Sequence, residues 1–355
     1  MNRRNFLIRS AGAVAGLSVL GLANSHAIGQ DDETPRGIDA RTQRAIDDGL
    51  RWLSRQQHAD GAFGTGIRSG NVAVTSLAAI AFMAGGHQPG RGEYGDAVNR
   101  ALRQVLSCER RDMPGLLERN DRERPMYGHG YGTLFLAEAY GMVNDPVLRE
   151  SLRGTLSRAV RLIVDTQNSE GGWRYQAAPT GADLSVTVCQ IMALRAARNA
   201  GIYVPRTTAD RCTAYAQRCQ HTASGGFRYQ PFGNEPGFAR TGAGIVALNS
   251  AGIYDGLAIE SALTYLDSFR PGRGPNSIRS NDFTYFYGHY YAAQAMWTAG
   301  GARWRNWYPA VRRELLSNRR DDNSWSDGRT CSHYCTAMAL IALQVPNNYL
   351  PILQR

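Results

Sequence analysis

The chain contains no lysine: all forty basic residues are arginine, set against thirty acidic residues for a formal charge of +10. These arginines are spread along the whole length and form no cluster. With no clustering and no known motif, a solvated exterior is the better reading than a nucleic-acid surface. Long apolar runs are also missing. The run Ala11 to Ala23 near the N-terminus is too short to span a bilayer, which takes about twenty residues as a helix. Cysteine is sparse, and its spacing supports no disulfide framework. Cys212 and Cys219 fall two turns apart on one expected helix, too far to bridge, and Cys331 and Cys335 fall one turn apart, at the edge of feasibility. Cys108 and Cys189 have no evident partner, so most of the thiols are expected to be small buried hydrophobes. No change of composition or long linker divides the chain, which indicates one domain.

The N-terminus reads as an address. Arg3-Arg4 and Arg9 precede the run Ala11 to Ala23, and a small-x-Ala site follows at Ser25-His26-Ala27. A charged start, a short apolar region and such a site define a secretory signal, and adjacent arginines followed by Phe6-Leu7 match the twin-arginine form. The expected organisation is a signal over 1–27, read by the export machinery, a disordered leader over 28–37, and one folded domain over 38–355. The expected location is periplasmic or otherwise extracytoplasmic. Loss of Arg3, Arg4 and Arg9 lowers the formal charge from +10 to +7.

The remainder is organised by a repeat. Gly171-Gly172-Trp173 is followed by an apolar segment from Leu184 to Gly201, and Gly225-Gly226-Phe227 is followed by Arg240 to Gly252. Gly61-Ala62-Phe63 leads into Val74 to Gly86, and Asn323-Ser324-Trp325 leads into Cys331 to Leu343. The four aromatics lie 110, 54 and 98 residues apart, about two, one and two periods of some fifty residues, and such periods mark repeat architecture. Each unit reads as an amphipathic outer helix, a glycine-aromatic turn, and an inner helix that is apolar nearly all round. Two further units are degenerate, with turns near Pro114-Gly115 and Pro271-Gly272 and inner helices over Tyr127 to Tyr140 and Phe283 to Ala299. The expectation is an all-α, six-hairpin α/α toroid, closed on itself so that no end repeat is left exposed.

The stretch Gly49-Leu50-Arg51-Trp52-Leu53, with Gln57, Gly61 and Phe63, resembles the QW repeat of terpenoid cyclases. The glycine-aromatic turns also resemble those of protein prenyltransferase β subunits. The resemblance covers about 40–350 and places the chain near the prenyltransferase and squalene-oxidase repeat group, more narrowly its exported bacterial members. That group implies the same toroid. Its chemistry transfers only in fragments. Where class II cyclases carry DxDD, this chain has Asp183-Leu184-Ser185-Val186, so only the first acid is kept. Where prenyltransferases hold zinc, it has Tyr287-Gly288-His289 and, one unit later, Cys331-Ser332-His333-Tyr334-Cys335. The resemblance therefore allows a zinc site of His289, Cys331 and Cys335, with ligand types exchanged and the family's Asp missing.

The starts of inner helices in a toroid face one mouth of its cavity. On that ground Tyr127, Tyr131, Arg240, Tyr287, Tyr290 and Tyr334 are candidate ligand-binding residues, unless they only satisfy one another at buried hairpin ends. Asp183, His129 and His289 are the candidate catalytic residues. Asp183 equally suits the N-cap of a helix. His129 and His289 stand in twin settings, Tyr-Gly-His-Gly-Tyr and Tyr-Gly-His-Tyr-Tyr, which implies a shared role. Three functions remain open at this point. One is a binder or enzyme for an elongated, isoprenoid-like small molecule. The second is a polysaccharide-active enzyme taking a glycan, and the third a non-catalytic scaffold.

Overall fold

The structure is a computed structural model that describes residues 37–354, apart from 234, 274–277 and 279. The expected signal over 1–27 and the leader through 36 lie outside the described residues. Among the described residues, twelve α-helices alternate between two rings. The outer helices are α1 (Ala40–Arg55), α3 (Gly95–Ser107), α5 (Pro146–Asp165), α7 (Arg206–Arg218), α9 (Leu257–Asp267) and α11 (Gly301–Ser317). The inner helices are α2 (Val72–Ala84), α4 (Pro125–Tyr140), α6 (Leu184–Asn199), α8 (Phe238–Ala251), α10 (Tyr285–Ala299) and α12 (Ser332–Gln344). Each inner helix packs on the next, and α12 packs back on α2, so the inner ring closes. Every residue of α2 is buried, whereas α1 buries one face only, as the sequence pattern requires. No described helix is long and apolar enough to cross a membrane.

A small set of bonds, repeated around the ring, explains why the turns look alike. Phe63, Trp173, Phe227 and Trp325 are all buried. The amide of each donates to a threonine on its own inner helix: Thr75 at 3.0 Å, Thr187 at 3.1 Å, Thr241 at 2.9 Å and Thr336 at 3.0 Å. The indoles of Trp173 and Trp325 each donate to the carbonyl ten residues before them, Ile163 and Leu315, both at 2.7 Å. Gln57, Gln167 and Gln220 each donate twice from one amide group, to a turn carbonyl (Gly61, Gly171, Gly225) and to a carbonyl opening the next outer helix (Ala97, Thr208, Ala258). The glutamine of the repeat thus ties three of the hairpins to their neighbours. Gly171 sits at φ 96° with the carbonyl of Arg211 where a Cβ would be, so both its conformation and its contact exclude a side chain.

Residues 345–354 form a strap. After α12 they cross the C-terminal ends of the inner helices, with Val345, Leu350, Ile352 and Leu353 buried. Asn347 donates to the carbonyl of Ala84 at 3.0 Å, and Gln344 donates to that of Ala81 at 3.0 Å. All six cysteines are free, five of them buried, as small apolar fillers should be.

Candidate functional site

The N-terminal ends of the inner helices surround one mouth of the ring, and helical periodicity decides which side chains look into it. On α4, Tyr127, Tyr131 and Glu138 share one face, and on α10, Tyr287, Tyr291 and Gln294 do the same. The corresponding outermost residues elsewhere are Ala73, Ser185, Ala239 and Tyr334, which complete a first layer. The second layer includes Tyr131 from α4, Cys189 from α6 and Tyr291 from α10. Tyr131 and Tyr291 come from helices on opposite sides of the ring, and their hydroxyls meet at 2.9 Å with both rings buried. That bridge closes the axis and forms a floor. Above it Tyr127, Ser185, Tyr287 and Tyr334 keep part of their surface exposed, and the small side chains of Ala73 and Ala239 complete the layer. The result is a short tyrosine-walled funnel.

One polar chain runs through it. Tyr127 and Ser185 share a hydrogen bond of 2.6 Å between hydroxyls, and the Ser185 hydroxyl donates to Asp183 Oδ1 at 2.6 Å. The Tyr287 hydroxyl donates to the Ser185 carbonyl at 3.4 Å. Asp183 is fully buried and caps α6 by accepting from the Val186 amide at 3.0 Å. Its other oxygen, Oδ2, is buried with no hydrogen-bond partner among the described residues. Burial pushes the Asp183 carboxyl above the usual carboxylate range, opposed by Ser185, the Val186 amide and Tyr229. Asp183 is therefore the N-cap that its position suggested, with a carboxyl raised by burial. Burial also holds the phenols of Tyr127, Tyr131, Tyr287, Tyr291 and Tyr334 well above their ordinary value, so they stay protonated. Cys189 lies 3.5 Å from the Tyr291 hydroxyl, and burial pushes its thiol up to about 12, which leaves it no thiolate at neutral pH.

The remaining candidates fall elsewhere, each for a stated reason. His129 and His289 lie two positions beyond Tyr127 and Tyr287, about 200° round their helices, and so face the wall between the rings. His129 Nδ1 accepts from the Leu117 amide at 3.3 Å, which is the bond that threonine accepts in four other hairpins. His289 holds the same place on α10, edge-on to Tyr285 at 4.5 Å and Phe238 at 5.1 Å between ring centroids. His129 supports its turn, His289 packs among rings with its Nδ1 unpartnered among the described residues, and neither reaches the mouth. Desolvation depresses both, His129 to about 4 and His289 to about 3.

Arg240 is one residue out of register. Ala239 holds the lumen position, while Arg240 lies over Gly237 and beside Tyr265 of an outer helix. Tyr290 packs beside the floor, edge-on to Tyr291 at 4.7 Å and Tyr131 at 6.4 Å.

The zinc arrangement does not assemble. Among the described residues no three His, Cys, Asp or Glu side chains gather to hold a metal. His289 is committed to the wall, Cys335 is buried in α12, and Cys331 faces the Thr65 hydroxyl at 3.5 Å. His333 accepts from the Gly64 amide at 2.9 Å and packs edge-on to Trp52, so it too is structural.

Sequence reasoning missed Ala73, Ser185, Cys189 and Ala239 as lining residues. The signal was present, since each stands two positions from the turn-binding threonine or its equivalent. It also missed Asp121, a second carboxyl near this mouth. Asp121 accepts from the Asn71 side chain at 3.4 Å and is raised by burial. A separate cleft of about 510 Å³ lies on the far side of the molecule, lined by Arg198, Val204, Arg206 and Ile253 among others.

No protein-family model matches the chain. A drimenyl diphosphate synthase of Streptomyces showdoensis is 29% identical over 198 residues, which is 55% of this chain and 34% of the synthase. The chain thus spans about a third of the length of the curated relative it matches. Among solved structures, a variant of the type II terpene cyclase MstE from Scytonema, in complex with geranylgeranyl dihydroxybenzoate, superposes with a TM-score of 0.58. It is 13% identical, over 88% of this chain and 98% of that one. The α-1,6-mannanase GH76A of Salegentibacter sp. HEL1_6 superposes with a TM-score of 0.60 at 11% identity, over 85% and 98% of the two chains. The architecture is therefore the α/α toroid of terpenoid-cyclase-like proteins, which glycan-cleaving enzymes share.

Proposed function

We propose that the tyrosine-walled funnel binds an elongated, apolar, isoprenoid-like small molecule, and that it does so outside the cytoplasm. The observation that carries this reading is the first layer, where the rings of Tyr127, Tyr287 and Tyr334 stand partly exposed around one end of the inner ring. Aromatic faces suit a branched hydrocarbon chain, and protonated phenols and the Ser185 hydroxyl supply polar anchors for a head group. Asp183, whose carboxyl burial raises above the usual carboxylate range, accepts from the Ser185 hydroxyl and so orients it towards the mouth. Similarity to a drimenyl diphosphate synthase and to a cyclase holding a geranylgeranyl compound supports this ligand class. The arginine pair and the Ala27 site support export.

Calorimetric titration with geranylgeraniol tests the reading. Saturable binding is expected, weakened at least about tenfold in Tyr127→Ala/Tyr287→Ala, a loss of about 1.4 kcal/mol. No binding of geranylgeraniol or farnesol would remove the reading. The Tyr131–Tyr291 bridge favours a second one, a non-catalytic scaffold whose filled axis takes no ligand. The polysaccharide alternative rests on shared fold alone, and fold does not fix function.

A further inference from the structure

The second mouth of the ring, at the C-terminal ends of the inner helices, is crossed by residues 345–354. Beneath them is a cavity of about 10 Å³, lined by Met192, Val246, Gln294, Ile352 and Leu353 among others, room for one water at most. The strap's grip is largely apolar, through Leu350, Ile352 and Leu353. One ionisable group lies under it. Glu138, on the lumen face of α4, is 5% exposed, and its Oε2 accepts from the Ile352 amide at 3.4 Å. We propose that the strap is a pH-sensitive gate over this mouth, docked while Glu138 is protonated and loosened when Glu138 ionises beneath it.

The surroundings of Glu138 support that direction. From α6 the Arg195 guanidinium faces it, and from α10 the Tyr290 phenol does. The α2 helix carries no ionisable side chain, and nor do residues 345–354 apart from Tyr349. Arg195 is shared: it sits over the Tyr254 ring at 5.8 Å and donates to the Gln354 carbonyl at 3.5 Å. Burial outweighs the Ile352 amide and Arg195, and the carboxyl is raised to about 7. A released strap would give Glu138 back to water, where its value is the ordinary glutamate one. The docked state therefore binds more protons. Docking is strongest below the ordinary glutamate range and weakens as pH rises through about 7. Opening would uncover Met192 and Val246 and give the axis a second entrance below the tyrosine floor. The inference stands apart from ligand binding at the first mouth.

Hydrogen exchange of the segment 345–354, corrected for the intrinsic rate at each pH, reads the gate directly. Wild-type protection should fall about tenfold between pH 6 and pH 8, by linkage to a carboxyl that titrates near 7 when docked. In Glu138→Gln protection should stay flat. Flat protection in the wild type, or an equal fall in Glu138→Gln, overturns the proposal. A second measurement holds even if that variant does not fold. In Leu353→Ser, which loosens the strap, the carboxyl carbon shift of Glu138 should titrate lower than in the wild type. An unchanged titration also overturns the proposal.

Discussion

His129 accepts, through its ring nitrogen, the turn amide that Thr75, Thr187, Thr241 and Thr336 accept in other hairpins. That substitution has a consequence for pH. His129, His289 and His333 are depressed to about 4, 3 and 4 by burial. The folded state therefore binds fewer protons than the unfolded one. Stability is full above the ordinary histidine value and is lost as pH falls towards 4, by up to about 3 kcal/mol for a fully buried imidazole. Denaturant midpoints at pH 7.5 and 4.5 should differ accordingly, and equal midpoints would contradict the burial of these rings. Trp173→Ala should cost about 3–5 kcal/mol, since it empties a packed site and removes the indole's bond to the Ile163 carbonyl. A denaturation curve unchanged from wild type would put that indole on the surface. Asp183 has Ser185 and Val186 where class II cyclases carry further acids. Squalene should accordingly be recovered uncyclised from incubation with purified protein, and a cyclic product lost in Asp183→Asn would contradict this. The tyrosines were legible because type and period agree. His129 was hard to place because a ring that replaces threonine in a hydrogen bond looks, in sequence, like one set aside for chemistry.

Between elements, a repeated glutamine adds a hydrogen-bonded link to the packing at three of the hairpins. Gln57, Gln167 and Gln220 each tie a turn to the next outer helix, and Gln167 is buried while doing so. Gln167→Ala leaves two carbonyls short of a donor and should cost about 1–3 kcal/mol. Thermal denaturation of that variant is the check, and an unshifted midpoint would mean that the hairpins are held by packing alone. The inner helices were legible to within about two residues at each end, because a segment apolar on all sides has few other places to go. Their lumen faces were not. Nearly uniform apolarity hides which side is inward, and so Arg240 was taken for the lumen residue in place of Ala239. The zinc reading failed for a related reason. Ligand types were matched along the chain, while the side-chain directions of His289 and Cys331 diverge.

For the whole molecule, closure of α12 on α2 removes any end repeat, and the strap then covers one mouth while the tyrosine funnel occupies the other. The repeat period foretold the ring, but nothing in it foretold the floor. Tyr131 and Tyr291 are 160 residues apart and meet only because their helices stand opposite each other. If the arginine pair directs export, N-terminal sequencing of the secreted fraction should begin at or near Ile28, and an intact Met1 or Asn2 there would contradict it. The central claim, that an apolar ligand sits on the tyrosines of the first mouth, is tested most directly by photo-cross-linking with a diazirine-bearing geranylgeraniol, followed by peptide mapping. The label should fall on peptides containing Tyr127 and Tyr287 and be competed by unlabelled geranylgeraniol. Label confined to the outer cleft around Arg198 and Ile253, or to no peptide above the uncompeted background, would contradict the claim.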